Sequence, residues 1–448
     1  MYDLIVIGAG PGGYEAAAHA GRLGQKVALI EREHLGGTCL NVGCIPTKTF
    51  LRSSRLFAEL KEGARYGVIA EGVRFDLAAV VERKNRVVGT LTRGVEGLLK
   101  RSGVEVIRGH ARLVSRGKVQ VGTGSYEAKN ILIATGSKPA VPPIPGIDSA
   151  RVLDSTAILS RTEVPNRLAV IGGGYIGLEF AGFFATVGSA VTVFEMLPHI
   201  AAGSDLEISR RLQQELRKSG VEIKTSSKVT GIEDGVVRYQ DVDGAAKFHR
   251  ADCVLNATGR SPVVEDLGLE QAGVDFDTRG VKTSDQGRTN VPGIWACGDV
   301  TGRRLLAHAA TREGIVAVNN MFGRGDRIRY DAIPAVIYTH PEVASVGKTE
   351  EELKAQGIEY RKAVAPMAVA GWFLVENEKA SGMVKVLVGA RHGEILGVHA
   401  IGDPSSEFIV LAAAMIETEM RASDVGELVF PHPTVSEALK AAILQARE

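Results

Sequence analysis

Leu4-Ile5-Val6-Ile7-Gly8-Ala9-Gly10-Pro11-Gly12-Gly13 is the stretch that decides the fold. Its apolar residues make a short strand, its glycines a turn, and the run from Tyr14 to Gly21 a helix. A second strand, Val27-Ala28-Leu29-Ile30, then closes on Glu31. Strand, glycine turn, helix and a strand ending in an acid form the fingerprint of a dinucleotide-binding unit. In that fingerprint Gly8 turns the chain, Gly10 admits a pyrophosphate to the backbone, and Gly13 lets helix and strand pack closely. The helix N-terminus offers unpaired N–H groups to phosphate. Glu31 is placed to accept hydrogen bonds from an adenosine ribose.

The unit occurs twice. Leu168-Ala169-Val170-Ile171-Gly172-Gly173-Gly174-Tyr175-Ile176-Gly177 repeats the strand and turn, and Val191-Thr192-Val193-Phe194 ends on Glu195. Twenty-three residues separate the first glycine from the acid in both copies. Each copy also closes on a matching signal, Ala134-Thr135-Gly136 in one and Ala257-Thr258-Gly259 in the other. One glycine-rich turn is often only a turn, whereas two copies with one spacing imply two bound dinucleotides. Gly172, Gly174, Gly177, Val229 and Gly259 are the contacts expected in the second copy. Glu195 would repel a 2′-phosphate, and Met196-Leu197-Pro198 offers no arginine to receive one, so this copy should prefer NAD to NADP.

Length and composition set the bounds around these units. At 448 residues the chain exceeds one ordinary core, and two to four domains are expected. A proline-rich linker, Lys138 to Gly146, separates the two units, and short strands and loops follow Arg260-Ser261-Pro262. The expected architecture is α/β, with Rossmann-like dinucleotide-binding domains at 1–143 and 144–264, a central domain at 265–332, and a C-terminal α+β domain at 333–448. Within the first domain, apolar residues at helical spacing predict a long amphipathic helix over Asp76 to Arg101. The net charge of +1 gives no ground for nucleic acid or an anionic membrane as partner. The longest apolar run, Phe408 to Ile416, is far shorter than the roughly 18 residues of a membrane span. The strand that begins within a few residues of Met1 leaves no room for a secretory leader, so a cytoplasmic protein is expected. No His/Cys spacing suggests a metal site.

Two of the four cysteines lie in Gly36-Gly37-Thr38-Cys39-Leu40-Asn41-Val42-Gly43-Cys44-Ile45-Pro46-Thr47-Lys48. Residues five apart in a regular helix are separated by roughly 7.5 Å along its axis, beyond disulfide reach. If Cys39 and Cys44 bond, the segment must bend, and Gly43 and Pro46 are the residues that would let it. A strained bridge is easily reduced and suits redox work, while the plainer alternative is a pair of buried thiols.

Six motifs taken together resemble the flavin-dependent pyridine nucleotide-disulfide oxidoreductases. They are Gly36 to Lys48, both fingerprints, the two Ala-Thr-Gly endings, Cys297-Gly298-Asp299, Tyr338 to Gly347, and His432-Pro433-Thr434-Val435-Ser436-Glu437. The resemblance implies FAD on the first unit, with Thr38, Lys48, Thr135, Gly136, Asp299 and Ala307 added to its contacts, and NAD on the second. It implies a Cys39–Cys44 redox disulfide, with Cys44 beside the flavin and Cys39 exchanging with substrate. His432, oriented by Glu437, would be the base that a thiol–disulfide exchange needs. Lys48 and Glu179 would pair near the flavin N5, the 265–332 segment would complete the FAD site, and Cys253 and Cys297 would be buried thiols. The activity implied is oxidation of protein-bound dihydrolipoamide with reduction of NAD. Its partners would be a second copy of the chain and a lipoyl-bearing E2 or carrier protein of a 2-oxo acid dehydrogenase or glycine-cleavage system.

The chain departs from the family pattern at Val369-Ala370-Gly371-Trp372-Phe373-Leu374, where relatives carry a polar stretch, and at Phe430, where a histidine is usual. Two alternatives stand beside the main reading: a reductase of the same family acting on glutathione or another small disulfide, and a flavoprotein scaffold without turnover. Mercuric ion reduction would need a C-terminal cysteine pair, and no cysteine follows Cys297.

Overall fold

The structure is a computed structural model that describes residues 1–378 and 381–447. The two glycine fingerprints build two sheets of one topology. In the first, the parallel strands run in the order Glu105–Arg108, Val27–Glu31, Tyr2–Ile7, Gly124–Ile133 and Ile294–Ala296. In the second they run Val221–Lys224, Ala190–Phe194, Arg167–Ile171, Cys253–Asn256 and Val152–Leu153. Parallel strands buried on both faces need apolar runs without alternation, and Leu4, Ile5, Val6, Leu168, Ala169 and Val170 are all fully buried.

Three glycines in each copy explain why strand, turn and helix close so tightly. Gly8 has φ +101° and Gly172 φ +108°, a conformation that side chains rarely adopt. A Cβ on Gly13 would sit 1.9 Å from the Gly8 carbonyl oxygen, and one on Gly177 2.1 Å from that of Gly172. Gly10 and Gly174 are different, because a Cβ there would meet nothing within 4 Å. The outer pair of glycines is thus required by packing and the middle one by an open face.

The predicted long helix is present as Leu77–Arg101, and Asp76 caps it by accepting a hydrogen bond from the Ala79 N–H at 3.0 Å. The last unit is an antiparallel sheet in the order Ala335–Ile337, Val343–Gly347, Ile395–Ile401, Met383–Gly389 and Tyr360–Pro366. The helices Ser405–Glu417, Ala422–Glu427 and Glu437–Arg447 share its apolar core. Among the described residues no helix is long and apolar enough to cross a membrane, and no His/Cys/Asp/Glu group could hold a metal ion.

Gly13→Ala should lower stability by about 3 kcal/mol through overpacking, read as a lower thermal midpoint. Gly10→Ala should leave the midpoint of the apoprotein unchanged and weaken dinucleotide binding instead. Equal midpoints for the two variants would contradict this division of labour.

Candidate active site

The cysteine segment is bent where a glycine allows it. The helix Gly37–Val42 ends at Gly43, whose φ −137° and ψ −111° are not helical, and the helix Cys44–Lys61 starts at once. Pro46 is not a second bend: it lies in the first turn, where its missing N–H costs nothing. The segment is fastened to the first fingerprint, since Gly36 N donates to Ala9 O at 2.8 Å. Gly37 packs so closely on Gly10 that a Cβ would lie 2.5 Å from the Gly10 Cα. Thr38 and Cys39 are thereby held beside the phosphate loop.

Both sulfurs are free thiols, hydrogen-bonded to each other. Their environments drive them apart. The hydrogen bond from Cys39, aided by the Lys48 cation, brings the Cys44 thiol down to about 7, while the same bond and burial push Cys39 far up. Of the two, Cys44 is the one that more readily gives a thiolate and Cys39 the one that keeps its proton, which suits a reduced redox pair.

Lys48 lies one helical turn beyond Cys44, and its ammonium is 2.8 Å from Glu179 Oε2. Packing sets this up: Phe50 on the cysteine helix stacks against Phe183 on the helix Tyr175–Thr186, with ring centroids 5.2 Å apart. Glu179 also accepts from Tyr338 N at 2.9 Å, and Lys48 Nζ sits 4.5 Å from the centre of the Tyr338 ring. Tyr338 was not among the expected site residues. Its signal in the sequence was only its place at the head of a motif.

The two acids of the fingerprints are bound identically. Glu31 accepts from Ala9 N and Glu33 N, and Glu195 accepts from Gly173 N and Leu197 N, all at 2.7 Å. Each carboxylate is locked at the end of its strand, next to its glycine loop. Asp299 follows Gly298, whose N–H donates to the buried Glu313 at 2.6 Å, and Ala307 opens the helix Ala307–Met321. Thr135 donates to Val263 O at 2.8 Å, and Gly136 and Gly259 have φ +71° and +133°. The Val229 side chain is packed in the core beneath the second sheet, which leaves its main chain to face a nucleotide. Cys253 and Cys297 are buried thiols, as expected.

His432 stands apart from this group. Its Nδ1 is 3.0 Å from Glu437 Oε1, and Glu437 Oε2 accepts from Thr434 N at 3.0 Å. The histidine hydrogen bond holds the Glu437 carboxyl below its ordinary range. The imidazole is exposed, and among the described residues no hydrogen bond or ion pair joins it to the cysteines. A second histidine pair went unforeseen: His340 Nδ1 lies 2.5 Å from the buried Asp403, which also faces Arg55 on the cysteine helix at 3.7 Å. Of the departures noted above, Phe430 packs on the C-terminal core. Trp372 and Leu374 are exposed on the short helix Gly371–Glu376.

Two dinucleotide folds, a thiol pair between them and a separate α+β unit define a class. Residues 2–314 match the family described as pyridine nucleotide-disulphide oxidoreductase, and residues 333–443 match the dimerisation domain of that family. The chain belongs to this family and is an oxidoreductase, and FAD and NAD are its cofactors. It is 43% identical to dihydrolipoyl dehydrogenase 3 of Pseudomonas aeruginosa, with 99% of this chain and 97% of that protein covered. It is 41% identical to dihydrolipoyl dehydrogenase of Geobacillus stearothermophilus, with coverage of 98% and 95%. The structure of the HOCl-induced flavoprotein disulfide reductase RclA from Escherichia coli superposes with a TM-score of 0.87 at 29% identity, covering 99% of each chain.

The residues present fit such cofactors. Both fingerprint helices, Pro11–Arg22 and Tyr175–Thr186, begin without a side-chain cap, which leaves their N–H groups to a phosphate, and Gly10 and Gly174 keep the approach open.

Removing the Lys48 cation should raise the Cys44 titration. In Lys48→Met the midpoint for thiolate formation should rise by about one pH unit. It can be followed by thiolate ultraviolet absorbance of the reduced protein with Cys44→Ser as blank. An unmoved midpoint would remove Lys48 from the control of the thiol.

Proposed function

We propose that this chain oxidises the dihydrolipoamide arm of a lipoyl-bearing carrier to lipoamide and reduces NAD, working as a homodimer. The observation that carries this reading is the cysteine pair itself, Cys39 and Cys44 on a bent segment docked to a dinucleotide loop, with the Lys48–Glu179 ion pair one helical turn beyond Cys44.

With the pair oxidised, one sulfur of the dithiol attacks Cys39, the Cys39–Cys44 bond breaks, and Cys44 leaves as a thiolate that Lys48 stabilises. The second substrate sulfur then attacks the first, closing the cyclic disulfide of lipoamide and returning Cys39 as a thiol. Two protons leave the dithiol: one ends on Cys39 and one goes to solvent. His432 accepts and hands on both, with Glu437 holding the ring by its Nδ1. FAD, when bound, supplies the hydride chemistry that carries the electron pair to NAD. Because His432 is exposed and unpaired with the cysteines of its own chain, we assign it to the cysteines of the partner subunit, through the 333–448 domain. Residues 1–143 and 265–332 would hold FAD and residues 144–264 NAD. The locked Glu195 carboxylate favours an unphosphorylated ribose.

Purified protein given dihydrolipoamide and NAD should form NADH. No NADH, with NADPH consumed on oxidised glutathione, would favour the small-disulfide reductase instead. His432→Gln should retain FAD and lose dithiol oxidation by a factor on the order of a hundred. Parent-like turnover in that variant would remove the histidine from the mechanism.

A further inference from the structure

Each Ala-Thr-Gly ending runs directly into a short strand, Ser137–Pro139 after the first and Arg260–Pro262 after the second. The two strands pair antiparallel, Ser137 opposite Pro262 and Pro139 opposite Arg260. Outside the pair, Ala140 N donates to Gly259 O at 3.0 Å and Val263 N to Gly136 O at 2.9 Å. The crossovers of the two dinucleotide units are therefore one ribbon, already held by its main chain.

Arg260 adds something the ribbon does not need for pairing. Its guanidinium is largely buried, and it grips one residue of the other unit with two prongs, Nε to Ser137 Oγ and Nη2 to Ser137 O, both at 2.7 Å. The Ser137 hydroxyl donates in turn to Asp299 Oδ2 at 2.5 Å, and Arg260 Nε lies 4.0 Å from that same oxygen. A buried charge is costly unless it is compensated. The nearest anion is Asp299, reached through a serine.

Asp299 depends on these neighbours. Burial pushes its carboxyl up, and only Ser137 and Arg260 oppose that. The helix Ala307–Met321 behind it contributes Glu313, a carboxyl that burial also raises and that adds no positive charge. The strand Gly280–Val281 brings no ionisable side chain.

We propose that Arg260, carried by the NAD unit, is a positioning residue for the flavin: through its two-pronged grip on Ser137 it holds Asp299 in place for the FAD chain. The proposal rests on the reading that Asp299 holds FAD. It makes the grip on one cofactor depend on a side chain from the unit that binds the other.

The test is FAD affinity of the full-length apoprotein, measured by quenching of flavin fluorescence between about pH 5.5 and 8, where an ordinary carboxylate is already ionised. With Cys39 and Cys44 oxidised, so that the Cys44 thiol does not titrate in this window, the parent should show the shallowest pH dependence of the series. Arg260→Met should bind FAD at least about tenfold more weakly at neutral pH and lose roughly another tenfold toward acid, as Asp299 takes up a proton. Ser137→Ala should move the same way. The double variant should be no worse than Arg260→Met alone, because both act through one contact. Arg260→Lys restores the charge but not the fork, so it should recover the acid side without full affinity. FAD affinity in Arg260→Met within twofold of the parent, or losses that simply add in the double variant, would overturn the proposal. Failure of the parent itself to bind FAD would instead overturn the reading of Asp299.

Discussion

A carboxylate in the middle of an apolar helix is the constraint on which the architecture turns. Glu179 lies between Leu178 and Phe180 and is almost wholly buried. A charge in that position costs several kcal/mol unless it is matched. Its matches come from elsewhere in the chain: Lys48 from the cysteine helix of the first unit and the Tyr338 N–H from the C-terminal unit. The ion pair therefore exists only when three regions of the chain meet, and all three contribute to the one apolar cluster beside it. The phenylalanines around it, Phe50, Phe180, Phe183 and Phe184, supply the apolar contact that makes docking favourable.

The same docking delivers the chemistry. Lys48 is aligned with Cys44 because both lie on one stripe of one helix, and that helix starts where it does because Gly43 breaks the turn before it. The cation that neutralises Glu179 also favours a thiolate one turn away. Structural pairing and redox tuning are thus two uses of one ammonium group. Placing the helix on the phosphate loop through Gly36 and Gly37 then fixes how the sulfurs stand relative to whatever the loop binds.

Much of this was legible from residue order. Gly8, Gly13, Gly172 and Gly177 announce themselves because only the absence of a side chain allows the close contacts they make, and the acids Glu31 and Glu195 follow at one spacing. The helix over Asp76 to Arg101 was readable from its period. The Lys48–Glu179 pair came from resemblance, and geometry then supplied its reason. What stayed hidden were partners far apart in sequence. Arg260 reaching Ser137, Tyr338 reaching Glu179, and Asp403 meeting both His340 and Arg55 have no local pattern, because each depends on how separate units are docked.

The first sheet also has a consequence for how the chain can be made. Its fifth strand, Ile294–Ala296, pairs with Gly124–Ile133 only after the entire second nucleotide unit has intervened. An emerging N-terminal segment therefore carries an open parallel edge, a surface prone to unwanted pairing, until synthesis has passed the second unit. The second sheet has no such debt, since Val152–Leu153 precedes its partner Cys253–Asn256 within one continuous stretch. Assembly on the ribosome is thus expected to finish the later unit first, with the earlier one waiting for its missing edge.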